Sequence, residues 1–312
     1  MLILVESGIM TCPALLLRGF HKQLRSDSVK EKLLELLETK GDLPPLSDIL
    51  INLEGRINDP DSDIEEISGL IRTEPVLSGR LIKLSNSVLF GGGRDEVSDL
   101  NSAIMRLGLK MVMDLVYTLE LPKVFKKPKS FDHVEFWKHS LGVAYLSKAL
   151  ISHVGGSKEN VEASYLAGLM HDVGILVFDY LIPDEYGAFV GNLGDADKSL
   201  EELELDTFGI SHPELGARFV EKWWPVSNQI VASIRKHHGP LSANVSSPGI
   251  FRFVNSANQI ANHYGIRNGV SPYVRPMNTK LLKIFKLNDD ELDGYVKNAT
   301  DGVAAAEAVL MQ

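Results

Sequence analysis

The amino-acid sequence predicts an all-α protein. From Ser28 onward, apolar residues recur at the three- and four-residue spacing of amphipathic helices in most segments of the 312-residue chain. Helix-start and helix-stop residues flank many of these segments, and no run keeps the apolar–polar alternation of a half-buried strand. The composition, 44% hydrophobic and 23% charged, is ordinary for a globular protein with a sizeable core.

Six helices are predicted in the first part of the chain. The first runs from Ser28 to a stop at Gly41, and the sixth runs from Leu109 to about Leu121, after a break at Gly108. The apolar faces of the first five are formed by Val29, Leu33, Leu34, Leu36 and Leu37; by Leu46, Ile49, Leu50, Leu53 and Ile57; by Ile64, Ile67, Leu70 and Ile71; by Val76, Leu77, Leu81 and Leu84; and by Ala103, Ile104 and Leu107.

Start signals precede four of these helices. Pro44-Pro45 is expected in a first turn, where a missing N–H is tolerated. Ser62-Asp63-Ile64-Glu65 has the S-x-x-E form of a capping box. Pro75 opens the next helix, and Ser98 is expected to cap the one after it.

Beyond residue 130 the helical pattern resumes, over 131–154, 161–180, 214–223, 227–236 and 251–264, and Asn288-Asp289-Asp290-Glu291 marks the start of a tail helix. Between the two parts lies a basic stretch with Lys123, Lys126, Lys127 and Lys129. We therefore predict a leader and helix at 1–42, an N-terminal helical lobe at 43–121, a basic linker at 122–130, a second helical lobe at 131–270 and a helical tail at 271–312 that packs back onto the lobes.

Charge and cysteine content exclude several classes of function. The net charge of −9 argues against a general nucleic-acid binder, because phosphates attract clustered Lys and Arg. Cys12 is the only cysteine, so neither an intrachain disulfide nor a thiolate zinc site is expected. We see no apolar stretch long enough to span a bilayer and no secretory signal. The expectation is a cytoplasmic protein without membrane contact.

Two local patterns resemble functional motifs but are interpreted as ordinary structure. Helices that meet at Gly108 could form a helix-turn-helix, but the second offers only Lys110 as a cation, so direct DNA binding is not expected. Gly91-Gly92-Gly93 is interpreted as a turn, because no Gly-Lys-Ser/Thr follows it as in a phosphate-binding loop.

Histidines in a fixed order point to a metal site. Imidazole and carboxylate donors suit iron, manganese, nickel or zinc, and adjacent side chains on a helix are about 100° apart, close enough to enter one cavity. Taken singly, each histidine is weak evidence, because a core histidine or a helix cap is the commoner case. The candidates, in chain order, are His139, His171 with Asp172, His212, and His237 with His238.

This order resembles the HD superfamily of metal phosphohydrolases, and especially its HD-GYP branch of cyclic dinucleotide phosphodiesterases. The preceding sequence is more similar to the HDOD family, an HD-related output domain, and the resemblance covers about residues 43–265. The matching stretches are Leu43-Pro44-Pro45-Leu46, Glu74-Pro75-Val76-Leu77, Leu81 to Ser87, Ala103 to Gly108, and Glu204 followed by Phe208-Gly209, His212, Glu214 to Ala217, Trp223 and Pro225.

The resemblance implies an HD-like helical bundle and a set of metal ligands. By that likeness, His139, His171 and Asp172 would hold one ion, and bridging Asp172 with His212, His237 and His238 would hold a second. Three departures from the HD-GYP pattern bear on catalysis: Asn258 stands where a late aspartate is usual, Ile175 replaces the lysine after His-Asp-x-Gly, and Gly239-Pro240-Leu241-Ser242 lacks a Gly-Tyr-Pro.

HDOD resemblance implies a non-catalytic output module of bacterial signal transduction that acts on signalling proteins. Phosphodiester hydrolysis needs a metal-activated water and a cationic contact to the phosphate. Asn258 weakens the binding of the first metal ion, and Ile175 cannot make the phosphate contact. Two alternatives stay open. One is a metal-dependent phosphohydrolase of nucleotides or cyclic dinucleotides, and the other is a metal-stabilised module that binds a nucleotide without cleaving it.

Overall fold

The computed structural model describes residues 28–40, 45–87, 96–125, 127–194, 197–240, 249–271, 273, 275–278 and 280–310. Every regular element among these residues is helical and none is a strand, which confirms the predicted all-α class. The leader 1–27, Cys12, Leu43-Pro44 and the glycine turn at Gly91–Gly93 lie outside the described residues.

Sixteen helices are seen among the described residues. Residues 28–39 form α1. The others are α2 (Asp48–Ile57), α3 (Ile64–Arg72), α4 (Pro75–Ser85), α5 (Leu100–Leu107), α6 (Leu109–Val124), α7 (His133–His153), α8 (Lys158–Met170), α9 (Val173–Leu181), α10 (Pro183–Gly191), α11 (Leu200–Phe208), α12 (His212–Trp223), α13 (Asn228–Lys236), α14 (Phe251–His263), α15 (Lys280–Phe285) and α16 (Asp289–Leu310).

Two predicted caps were wrong by one residue. Asp63, not Ser62, caps α3 by accepting the Glu66 N–H at 2.8 Å, and Asp99, not Ser98, caps α5. An ionised carboxylate forms the stronger bond with N–H groups at the positive end of a helix. Pro45 also lies before α2 rather than inside its first turn.

Apolar faces were predicted well, with two exceptions, of which one is Ile64 at the start of α3, with 38% of its surface exposed. The buried core includes Leu33, Leu50, Ile67 and Leu81, as the helical spacing indicates. Val76, however, is 62% exposed, because it lies in the first turn of α4 on the side away from the core.

The predicted linker is partly helical. Helix α6 continues to Val124 with Pro122 inside it, so the first residues of the 122–130 stretch belong to the helix. Phe125, just after the helix, is buried, with its ring 5.7 Å from that of Phe219 and 6.2 Å from that of Trp224. One buried hydrophobic cluster extends from Leu33 to Ala306. The division into lobes stays a prediction.

A single helix predicted over 161–180 is in fact two, because α8 ends at Met170 and α9 begins at Val173. This region also corrects the view that no stretch could span a membrane: Lys158–Leu181 is long and apolar enough by composition, with mean hydropathy 1.3. Its apolar window is 83% buried inside the protein, as expected for the central helices of a globular core.

Helices α10 and α11 were missed. The first spans only two and a half turns with a mixed pattern, and the second depends on a capping box between Ser199 and Glu202. The predicted tail helix is confirmed: Asn288 Oδ1 accepts the Glu291 N–H at 2.9 Å at the start of α16. Its Tyr295 hydroxyl lies 2.9 Å from His153 Nδ1, so α16 packs along α7.

Candidate metal centre

The structure brings all six predicted ligands together in two overlapping groups. The donor atoms within each group lie within 4.8 Å of one another, and all but those of His238 are on buried residues. The first group is His139, His171 and Asp172; the second group is Asp172, His212, His237 and His238.

Helix ends place most of these side chains. The α8–α9 break lies at His171 and Asp172, so a turn directs both side chains inward. His212 is the first residue of α12, and His237 follows the last residue of α13. Helices α9 and α12 approach closely at Gly174, where a β-carbon would lie 1.9 Å from the His212 carbonyl oxygen. His139 alone comes from the interior of a helix, α7.

Distances in the second group match those between ligands of one ion. His212 Nε2 lies 3.3 Å from His237 Nε2 and 3.2 Å from His238 Nε2. Asp172 Oδ1 lies 3.5 Å from His212 Nε2 and 3.3 Å from His237 Nε2. Ligands at about 2.0–2.1 Å from a tetrahedral ion are about 3.3–3.4 Å apart. The second group can therefore supply a three-nitrogen, one-oxygen set.

The first group is less complete. His139 Nε2 and His171 Nε2 are 3.3 Å apart, and Asp172 contributes Oδ1 at 3.3 Å from His171 and Oδ2 at 3.6 Å from His139. Asn258 stands beside His139 and lines the cavity that opens over the second group, so a neutral amide borders the first group. Ile175 is fully buried and does not line the cavity.

Backbone carbonyls fix the tautomer of three rings. The Nδ1 atoms of His139, His171 and His237 each lie 2.7 Å from a carbonyl oxygen, those of Ile266, Gly168 and Ile234 respectively. A carbonyl only accepts, so each Nδ1 carries the proton, and a neutral ring then turns an Nε2 lone pair inward. Asp172 Oδ1 is buried among them without a hydrogen bond. Converging lone pairs around an unpaired carboxylate oxygen fit a cation.

Glu204 plays the corresponding part for His212. Its Oε2 accepts the backbone N–H of His212 at 2.6 Å and the ring Nδ1–H at 2.7 Å, while Oε1 accepts the Tyr186 hydroxyl at 2.9 Å. Both Glu204 and Tyr186 are fully buried. In the sequence, Glu204 was recognised as part of a family motif, but no role was predicted for it. Its position eight residues before His212, ahead of Gly-x-x-His, was the signal that could have identified it as the partner of that histidine.

Charges in the centre suit metal binding. Burial and the neighbouring His171 lower the pKa of His139 to about 4, and burial likewise lowers that of His237 to about 4. Burial also lowers the pKa of His212, but the Glu204 and Asp172 carboxylates outweigh it and raise the value to about 10. For Asp172, burial raises the pKa, yet the surrounding histidines hold it well below its usual range. The carboxylate is thus ionised at neutral pH.

A cavity of about 230 Å³ opens over the second group. Its wall on α14 presents the side-chain amides of Asn255, Asn258 and Gln259. Arg275 is the only lysine or arginine among its described lining residues, and its Nη2 lies 2.6 Å from Glu201 Oε1. The cavity therefore joins a metal-binding floor to walls that are mostly neutral and hydrogen-bonding.

Comparison with known proteins identifies the family and the fold. The HDOD domain matches residues 43–240. A curated relative, an uncharacterized protein of Treponema pallidum (strain Nichols), is 25% identical over 252 residues, which make up 80% of this chain and 47% of that protein. The chain thus spans about half the length of that relative.

Three solved structures share the fold. An HDOD domain protein of unknown function from Geobacter sulfurreducens has a TM-score of 0.67 at 25% identity, over 88% of this chain and 89% of that one. A candidate signal transduction protein of Marinobacter aquaeolei VT8 has 0.70 at 18% identity, over 92% and 67%. A candidate metal-dependent phosphohydrolase of Shewanella amazonensis SB2B has 0.61 at 18%, over 92% and 99%. With the family match extending over more than half of its length, the chain belongs to the HDOD family.

Proposed function

We propose that this chain is a metal-centred regulatory module of signal transduction, which works in the cytoplasm through contacts with other signalling proteins and does not hydrolyse phosphodiesters. The observation that carries the proposal is the closed donor set of the second group, Asp172 with three histidines. With zinc, four protein ligands complete a tetrahedral ion and leave no position for a reactive water, as in structural rather than catalytic zinc sites.

The first group supports the same proposal. A hydrolytic pair of ions needs both positions filled, and the first group offers two imidazoles and a shared carboxylate beside the neutral Asn258. Ile175 is packed in the core and cannot contact a phosphate. A bound ion of iron, manganese, nickel or zinc would link α8, α9, α12 and α13 through its ligands and so stabilise their packing. The residues of this chain would coordinate the ion.

A likeness to the Marinobacter protein, named as a candidate signal transduction protein, is consistent with this role but shows only a shared fold. Metal analysis and an activity assay test the proposal together. Purified protein is expected to hold about one first-row transition metal ion per chain and, after loading in turn with manganese, iron, nickel and zinc, to leave cyclic di-GMP and bis(p-nitrophenyl) phosphate uncleaved.

The second candidate is a metal-dependent phosphohydrolase, favoured by one observation: the cavity reaches His212, His237 and His238 and contains Arg275. An arginine beside a metal can stabilise the charge of a phosphoryl transition state. Turnover near about one per second that disappears in Asp172→Ala would establish this candidate and overturn the non-catalytic proposal. A nucleotide that binds without being cleaved would support a metal-stabilised binding module.

A further inference from the structure

The connection between α14 and α15 touches the ligands of both groups. Among its described residues (264–271, 273 and 275–278), the Ile266 carbonyl accepts from His139 Nδ1, and the Asn268 side chain donates from Nδ2 to Asp172 Oδ2 at 2.8 Å. At the far end of this connection Arg275 forms an ion pair with Glu201. The Oε1 atom of Glu201 lies 3.9 Å from His238 Nδ1. The whole connection lies beyond the residues that match the family, 43–240.

The orientation of the Asn268 amide is determined by its own turn. Asn268 Oδ1 accepts the N–H groups of Val270 at 3.0 Å and Ser271 at 3.1 Å. Gly269 between them has φ +72°, a left-handed conformation that glycine adopts without strain. With Oδ1 committed to two donors, Nδ2 is the atom that faces Asp172. The turn thus delivers a hydrogen-bond donor, not an acceptor, to the carboxylate.

Close packing holds this turn against the helix that carries His139. Ile266 Cγ2 would lie 2.9 Å from a β-carbon on Gly142, so the absence of a side chain there lets the connection approach α7. Asn268 itself is buried, with 8% of its surface exposed. A buried amide in a fixed turn has little freedom to move away from its partner.

We propose that Asn268 is a positioning residue of the metal centre. Its amide fixes the rotation of the Asp172 carboxylate, so that Oδ1 faces the Nε2 atoms of the surrounding histidines. Asn268 does not itself bind the ion. The inference rests on the proposed function, since it concerns the same centre, and it assigns to a segment outside the family match a part in setting the ligand geometry of both groups.

The decisive variant is Asn268→Ser. A serine hydroxyl can still accept N–H groups in a tight turn, but it is too short to reach Asp172, so the variant keeps the turn and removes the donor. Asn278→Ser is the matched control, because Asn278 lies in the same connection and its Oδ1 caps the Lys280 N–H without touching a ligand. Apo-protein circular dichroism and thermal unfolding report whether either change disturbs the fold.

Co²⁺ is the probe, titrated into metal-stripped protein and followed by its visible absorption. We expect the dissociation constant to rise about ten- to a hundredfold in Asn268→Ser, with a changed absorption spectrum, because loss of an outer hydrogen bond to a ligand typically weakens binding by that factor. Asn278→Ser should match the wild type. An Asn268→Ser protein with wild-type affinity and spectrum overturns the positioning role alone, whereas wild-type protein that binds no Co²⁺ overturns the proposed function as well.

A measurement on the unmodified protein keeps the proposal open to test even if Asn268→Ser fails to fold. In the nuclear magnetic resonance spectrum, the Asn268 side-chain amide is expected to shift when Zn²⁺ is added, since its partner Asp172 becomes a ligand. The Asn278 amide should stay in place. An unchanged Asn268 resonance in Zn²⁺-loaded protein overturns the inference.

Discussion

Glu204 and His212 are joined twice: one carboxylate oxygen accepts the backbone N–H of His212 at 2.6 Å and its ring Nδ1–H at 2.7 Å. Three other rings of the metal centre, those of His139, His171 and His237, donate from Nδ1 to neutral carbonyls. His212 is therefore the imidazole whose basicity is most increased by its partner, because a carboxylate stabilises positive charge on the ring. Because Glu204 lies on α11, the same contact joins α11 to the metal centre.

Replacing Glu204 by glutamine should weaken metal binding. The amide removes the negative charge behind His212 and cannot accept from every present donor, so one buried group loses its partner. We expect a metal dissociation constant about ten- to a hundredfold higher. The free energy of unfolding of the apo protein should fall by about 1–3 kcal/mol. Chelator competition and urea denaturation measure the two effects.

Glu214→Gln provides the control for this change. Glu214 lies on the half-exposed face of α12, where it pairs with Arg218 and Arg235. Surface pairs of this kind contribute about 0–1 kcal/mol, so metal affinity should not move and stability should change little. Equal losses of affinity in both variants would contradict a specific role for Glu204.

Metal binding should release about one proton per chain at pH 7. In the metal-free protein the pKa of His212 is about 10, so its ring is protonated, whereas His139 and His237, with pKa values of about 4, are already neutral. The ion must displace the His212 proton, so affinity should increase as pH rises from about 6 to 9. Calorimetry in buffers of different ionisation enthalpy counts the protons. Binding without proton release would show that His212 is neutral beforehand.

The candidate ligands could be predicted from sequence because their order along the chain resembles that of a known superfamily. Taken singly, the His171-Asp172 pair, the histidine that begins α12 and the pair that follows α13 are weak signals, and it is their order along the chain that makes them candidates for one site. Helix faces were equally predictable, since burial of Leu50 or Leu81 follows from spacing within a single helix.

Asn268 and the helix break that places His171 and Asp172 could not be predicted. Asn268 meets Asp172 across 96 residues of sequence, and nothing local distinguishes it from an ordinary Asn-Gly turn. The α8–α9 break was likewise hidden, because apolar residues continue on both sides of His171-Asp172 and the nearest glycines, Gly168 and Gly174, lie within α8 and α9 rather than at the break. Tertiary contacts decide such features, and periodicity within a segment does not report them.

The two groups should respond differently to loss of a histidine. His212 belongs only to the second group, with its complete donor set, and His139 only to the first, which has Asn258 beside it. We expect His212→Ala to lose the bound ion and His139→Ala to retain about one ion per chain, since four ligands remain in the second group. Mass spectrometric metal analysis after dialysis measures this. Retention in His212→Ala with loss in His139→Ala would place the ion in the first group.

The contact between Gly174 and α12 should be the most sensitive packing point of the centre. A β-carbon on Gly174 would lie 1.9 Å from the His212 carbonyl oxygen and 2.9 Å from the Gly216 nitrogen, both backbone atoms that cannot rotate away. Gly174→Ala must therefore push α9 and α12 apart, which displaces His212 from its partners. Overpacking of this kind costs about 1–3 kcal/mol, occasionally more, and metal affinity should fall with it.

Gly191→Ala is the matched control for that substitution, because Gly191 ends α10 and a β-carbon there would meet nothing within 4 Å. Alanine has the higher helix propensity, so this variant should be neutral or slightly more stable. Urea denaturation of both apo variants gives the difference in the free energy of unfolding, and Co²⁺ titration gives the affinity. If Gly174→Ala matched Gly191→Ala in both measurements, the α9–α12 spacing would not control the position of His212; a loss confined to Gly174→Ala would trace ligand placement to the closeness of these two helices.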